Sequence, residues 1–355
     1  MQSAIEEYYA TNYSNCNLTY SFLASWQSIS YTSHVIQLVA LPLQILALYV
    51  IIYKTPIAMK ISKIPLLINH SLCVILDFVF CTLCTLYIFV PMYAMSGIGV
   101  LAWIGVPTLL QVIIFFVAML CATFSYIYLF ESRASSLLNN RFRITNNRSR
   151  IVYNCVILIP VLFALPFLFF FRRDQDAAKL DALKNYPCPT REFFTTSVFI
   201  ALTDKTLMSY VLVPFLMGVS SVVGHFLFQM GCLVYYIYIV PSRSVSRETR
   251  EKQKTFLISI LFQTSVPFFV AIPAATVLFL YLYGYYSQKV MNSVICFIQN
   301  HGIVESICLI CVHKPYRNAI AIKIKSLKCA RARNVIPVER LDGNLTRESG
   351  NGDDV

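Results

Sequence analysis

The run YTSHVIQLVALPLQILALYVIIY, Tyr31 to Tyr53, holds no Asp, Glu, Lys or Arg and ends on Lys54-Thr55-Pro56. A hydrocarbon core of about 30 Å takes about 20 helical residues at 1.5 Å rise, so this run is long enough to cross a bilayer. Backbone amides inside lipid must find partners within their own segment, which leaves helix as the only workable conformation for it. Six further charge-poor stretches follow, at Ile64 to Val90, Val106 to Phe130, Ile151 to Phe171, Leu207 to Val240, Thr255 to Gly284 and Val290 to Val312. The expected fold is an all-α membrane protein, a seven-transmembrane helix bundle.

Composition agrees: hydrophobic residues are 57% against 13% charged, too apolar for a solvated surface. The net charge of +12 is distributed by segment. Of the 29 Lys and Arg, 22 fall in 54–63, 131–150, 241–254 and the stretch after His313. Positive charge concentrates on cytoplasmic connections, so the N-terminus is expected outside and the C-terminus inside. That accounts for the basic balance without nucleic acid; membrane lipid is the expected partner of the basic face. The resulting division is an extracellular segment 1–30, a bundle 31–312, a cytoplasmic amphipathic helix 313–330 and a disordered tail 331–355. In the amphipathic helix, Tyr316, Ile320, Ile324 and Leu327 share one face, as in a helix lying on the inner leaflet. Cys329 points off that stripe, which disfavours its palmitoylation.

Cys16 and Cys188 alone among twelve cysteines fall on the expected oxidising side. A bridge between them is expected, two free thiols being the alternative. Asn12 and Asn17 head glycosylation sequons on that same side. No phosphate loop or HExxH is present, so neither an enzyme nor a cofactor is expected.

Within the spans the ionisable acids are Asp77 and Glu305. An intramembrane charge must face the bundle interior and find a partner. Counted from the cytoplasmic ends, Asp77 and His301 lie at similar depth, so Asp77 is expected to face His301, with Glu305 one turn on from it. The set reads either as a polar switch, protonation or ion site, or as a structural hydrogen-bond cluster; its spacing alone does not make a metal site. Pro267 and Pro273 in the sixth span are expected to kink it. Trp103, Gln111, Phe115 and Met208, in the outer halves of the spans, are the candidate ligand contacts.

Several short motifs then occur in order: Tyr53-Lys54-Thr55-Pro56 with Met59-Lys60, Leu76-Asp77, Glu131-Ser132-Arg133, Tyr186-Pro187-Cys188-Pro189, His301-Gly302 and His313-Lys314-Pro315-Tyr316-Arg317. From Thr32 to Asn318 the chain resembles the nematode serpentine receptor class h (Srh) chemoreceptors. It departs from them at Glu305-Ser306, where the family usually carries small hydroxyl residues. The resemblance implies a G-protein-coupled receptor of sensory neurons, at the plasma membrane of the cilium, that binds a small environmental molecule and signals to a heterotrimeric G protein. It also implies a G-protein-facing set of Glu131, Arg133, Glu251, Pro315, Tyr316 and Arg317, with Glu251 a candidate partner of Arg133. A seven-span ligand-gated channel or a small-molecule transporter is the alternative. The loop charges oppose the inverted channel, and no repeat symmetry or matched broken helices point to a transporter.

Overall fold

The computed structural model describes residues 2–16, 20–92, 94–137, 139–169, 174–201, 205–240 and 247–334, with some side chains of the N-terminal helix, the start of the second span, the fourth, fifth and sixth spans and the C-terminal helix outside that description. The helices in chain order are α1 (Gln2–Thr11), α2 (Trp26–Lys54), α3 (Lys60–Phe78), α4 (Val100–Trp103), α5 (Thr108–Ser135), α6 (Asn147–Phe169), α7 (Gln175–Asn185), α8 (Glu192–Thr195), α9 (Lys205–Val234), α10 (Arg247–Leu282), α11 (Gln288–Ile298), α12 (His301–Val312) and α13 (Lys314–Asn334). Five helical stretches among the described residues are long and apolar enough to cross a membrane: Trp26–Lys54, Ser62–Leu83, Thr108–Ser135, Leu216–Ile239 and Gln288–Val312. With α6 and α10 they make a seven-helix bundle. α2 packs on α3 and α12, α3 on α5, α5 and α6 on α9, and α10 on α12, which closes the ring.

The first span has an inverted pattern of burial. It buries Ser30, Ser33, Gln37 and Gln44 and exposes Val35, Leu38, Ile45 and Ile52. A soluble helix turns its apolar face inward; this one turns its polar residues inward and its aliphatic residues outward, as lipid requires. Pro42, Pro65 and Pro214 lie inside helices, each lacking the backbone N–H and so freeing a carbonyl that a membrane bundle satisfies through its neighbours. α10 is continuous across the positions of both Pro267 and Pro273, and the Pro267 side chain lies outside the described residues.

The sequence reading is corrected at both ends of the bundle. The apolar run Ile64–Val90 is not one helix. It ends in a π-helical turn, Val79–Leu83, and then enters a strand, β1 (Leu86–Phe89). β1 pairs antiparallel with β2 (Ala94–Gly97), and β2 with β3 (Val198–Ile200). This sheet, with α7 and α8, covers the end of the bundle that also carries α1, called the outer end below. Tyr87, Phe89, Phe193, Leu183, Val198 and Ile200 form its core. The seventh span breaks between Ile298 and His301. There Asn300 Nδ2 donates to the Cys296 carbonyl at 2.8 Å, a local bond that competes with the helix ladder.

Two devices hold the outer cover down. Gln288, on α11, donates to the Ile88 carbonyl at 2.7 Å and accepts from the Val90 amide at 3.2 Å. Cys16 and Cys188 are disulfide-bonded, which fastens the N-terminal segment to the α7–α8 connection. Above that bond, Tyr8 donates to the Pro187 carbonyl, and the Tyr9 and Tyr13 rings pack on Phe194 at 5.0 and 4.7 Å.

At the other end, α13 extends past the expected boundary of 330 to Asn334. Ile320 packs inward while Ile324 is exposed. The Leu327 and Cys329 side chains and the tail 335–355 lie outside the described residues.

Candidate functional site

Interior polar residues of α2, α3 and α12 form one network. Asp77 Oδ1 lies 3.0 Å from His301 Nε2, close enough for an ion pair though off the line of a good hydrogen bond. The other Asp77 oxygen accepts from Gln44 Nε2 at 2.5 Å. Glu305 does not pair with His301. It reaches His70, one side chain to the other at 2.8 Å, and His70 Nε2 lies 3.0 Å from the Gln44 carbonyl. All five side chains are buried.

His70 was not among the residues the sequence pointed to. The signal was present: His70 and Asp77 are seven residues apart, two turns on one face of α3, and α12 runs antiparallel to α3. An acid and a histidine on each helix then meet crosswise. Gln44 was equally silent, because a lone glutamine in an apolar run has no partner that sequence can name.

The hydrogen bonds constrain the protons. A carbonyl only accepts, so His70 Nε2 carries hydrogen toward Gln44. A second proton must then lie between His70 Nδ1 and Glu305. It makes either imidazolium with carboxylate or imidazole with carboxylic acid, and both forms of the pair are neutral overall. His301 Nδ1 lies 3.2 Å from the Ile298 carbonyl and its Nε2 faces Asp77. One neutral, proton-holding pair, His70–Glu305, therefore sits at membrane depth, joined through Gln44 to the Asp77–His301 contact. Glu305 Oε1 and Ser306 Oγ, both buried, lack hydrogen-bond partners. Among the described residues no cluster of three metal-ligating side chains occurs.

Gly302 lets the two spans approach. A Cβ there would overlap Asp77 Oδ2 and crowd the Gln44 amide. The His301-Gly302 pair is thus one device, a partner for the carboxylate followed by the gap the carboxylate needs.

The inner end is closed. Thr55 donates to the Ile51 carbonyl at 2.6 Å, so the 2.9 Å contact with Tyr316 has the tyrosine hydroxyl as donor. Tyr316 is buried among Val50, Ile51, Leu66, Leu129 and Leu309. Burial raises its pKa. Arg133, also buried, lies near enough to Tyr316 and His313 that its charge acts on both. Arg317 caps α12 through the Cys311 and Val312 carbonyls, and Pro315 occupies the first turn of α13, where a missing N–H costs nothing.

Glu131 binds Arg150 at 2.6 Å and accepts from Ser135 at 2.6 Å. Of the six residues expected to face a G protein, Glu131, Arg133 and Tyr316 are buried in this conformation, Glu131 engaged with Arg150 and Tyr316 with Thr55. Glu251 pairs with Lys254 at 2.9 Å on the exposed start of α10.

At the outer end, Trp103 and Gln111 line a cavity of about 310 Å³ between the start of α2, α4, the start of α5 and the approach to β3. Phe115 does not reach it. It packs against Phe80, ring centres 5.0 Å apart, since its position on α5 faces α3. The Met208 side chain lies outside the described residues, as does Asn17; Asn12 is exposed just past the end of α1.

Comparison with known proteins then decides the family. The family described as serpentine type 7TM GPCR chemoreceptor Srh matches residues 24–326. The chain belongs to the Srh family. A curated relative, serpentine receptor class H-72 of Caenorhabditis elegans, is 29% identical over 328 residues, covering 92% of this chain and 94% of the relative. No solved structure matches. For an Srh chain the ordered motifs have structural meaning. Lys54-Thr55-Pro56 and His313-Lys314-Pro315-Tyr316-Arg317 meet at the Thr55–Tyr316 bond, and Leu76-Asp77 meets His301-Gly302 at the Asp77–His301 contact. The protein is a multi-pass membrane protein of a serpentine chemoreceptor family.

Proposed function

We propose that this Srh protein is a G-protein-coupled chemosensory receptor of the plasma membrane, in sensory cilia, with the N-terminus outside and glycosylated at Asn12. It binds a small environmental molecule and signals to a heterotrimeric G protein by opening its inner face. The observation that carries the reading is the pair of acid–histidine contacts linking α3 to α12, directly above a closed inner end. A ligand shifts a two-state bundle only by its differential affinity for the two arrangements. Buried pairs that can be separated, or can exchange a proton, give the bundle two such arrangements. Opening would withdraw Tyr316 from its slot and present Arg133, Pro315 and Arg317, with Glu251, to the G protein.

The test is heterologous expression with readouts for several Gα classes against a panel of small molecules, using pair replacements. His70→Gln alone leaves Glu305 buried without its partner and should cut surface expression, since an unpaired buried charge costs about 3–5 kcal/mol. His70→Gln with Glu305→Gln should restore expression and shift basal or ligand-driven signalling. If the restored double variant, and likewise Asp77→Asn with His301→Gln, signalled as the parent does, the pairs would be scaffolding. Silence toward every Gα class across the panel would count against the receptor assignment itself.

The break in the seventh span is the one feature a transporter would share. Gln299 is buried there with its Oε1 accepting from Ser33 at 2.8 Å, and Asn300 donates to the Cys296 carbonyl, so the break forms part of the packed interior.

A further inference from the structure

The outer cavity has three properties that bear on what occupies it. It contains no ionisable side chain in its lining. Its walls are mainly apolar, with Trp26, Ile98, Trp103, Val106 and Pro107 among them, and the hydroxyls that line it are taken up, Thr108 donating to Ser197 and Thr196 to the Glu192 carbonyl. Its polar floor is Gln111, which is 1% exposed. The Gln111 amide nitrogen donates to the Val106 carbonyl at 2.7 Å, and the amide oxygen, set against Gly97, has no donor. A buried acceptor without a donor is costly, and one donor from the cavity removes that cost.

Access is also restricted. The disulfide-tied N-terminal segment, α7 and the sheet cover the outer end, while Trp103 and Ile104 at the cavity rim are 67% and 70% exposed. An exposed tryptophan at that level fits the interfacial aromatic belt of a membrane protein. At roughly 30 Å³ per water-sized group, the space holds about ten heavy atoms.

We propose that this cavity binds a neutral, lipophilic small molecule carrying one hydrogen-bond donor, of the alcohol class, which enters sideways from the outer leaflet past Trp103. The proposal rests on the receptor reading above for its biological purpose, and on the cavity alone for the binding event. A charged occupant would be desolvated with no counter-charge in the lining. An alkane would leave Gln111 unsatisfied.

The chain has two tryptophans, Trp26 and Trp103, and both line this cavity, so intrinsic fluorescence reports on it directly. The receptor in lipid nanodiscs is titrated with 8-bromo-1-octanol, whose bromine quenches tryptophan, and with unbrominated 1-octanol as competitor. The expected result is a saturable quench relieved by 1-octanol and not by octanoate or octylammonium. 1-Bromooctane, lacking the donor, should bind about tenfold more weakly, roughly the ratio one hydrogen bond supplies, and Gln111→Leu should erase that difference. Ala102→Phe fills the space and should leave only quenching that rises linearly with probe in the bilayer; Val106→Phe serves where that variant fails to fold. Linear quenching in the parent protein, equal saturation in both filled variants, or competition by octanoate as good as by 1-octanol would each overturn the site. No G protein enters the measurement, so a failure of coupling and a failure of this site are read separately.

Discussion

A methyl group at position 302 has no room, because Asp77 Oδ2 already occupies the place where it would go. Gly302→Ala should therefore destabilise the bundle by about 1–3 kcal/mol, the usual cost of overpacking a filled interior. The measurement is the thermal midpoint of the solubilised receptor, and Asp77→Ser in the same chain should recover part of the loss by clearing the space. Sequence made Asp77, His301 and Glu305 visible because charge in an apolar run is conspicuous. Depth counted from the cytoplasmic ends set Asp77 against His301, where the structure has it, but nothing in the sequence said that Glu305 turns to His70. That choice depends on how two antiparallel helices are rotated.

The junction of α12 and α13 shows how an element's end becomes a lock. His313 leaves the helix in extended conformation, which lets Tyr316 fold back to Thr55. His313 is buried, and burial first, with the charges of Arg133 and Arg317 after it, drives its pKa down to about 3. In the unfolded chain a histidine takes up its proton near pH 6.5. The unfolded state thus binds more protons between those values, so this contribution to stability is whole above about pH 6.5 and is lost progressively as pH falls toward 3. At pH 5 the loss should be about 2 kcal/mol. His313→Asn should flatten the fall in thermal midpoint between pH 7 and 5; an unchanged slope would place the acid sensitivity elsewhere. The first strand is the counter-example among elements. Leu86–Phe89 merged with the apolar run before it, because four apolar residues read alike as the end of a helix or as a buried strand.

Across the whole molecule, the disulfide joins positions 172 residues apart, and the bond fastens a cover rather than the bundle. Closing so long a loop removes conformational freedom from the unfolded chain, worth about 2–4 kcal/mol by the usual range. Replacing Cys16 and Cys188 together by Ser should lower the thermal midpoint accordingly and speed proteolysis of the N-terminal segment, while leaving the α3–α12 contacts in place. Equal proteolysis in parent and variant would mean that the tyrosines around Phe194 hold the segment without the bond. The same cover steers access to the side of the bundle, and it could not be foreseen from the run 172–206, whose helices and strand are short and take their stability from one another.

Composition and charge periodicity alone determined the seven membrane spans, the expected sidedness and the presence of intramembrane acids, because lipid imposes length and polarity on each segment independently of its neighbours. The ordered motifs carried the family. The turn of Glu305 to His70, the docking of Tyr316 on Thr55, the outer sheet and the cavity between Trp26 and Trp103 were decided only by tertiary structure. Each depends on the rotation and spacing of separate elements, and those are set by packing between residues far apart in the chain.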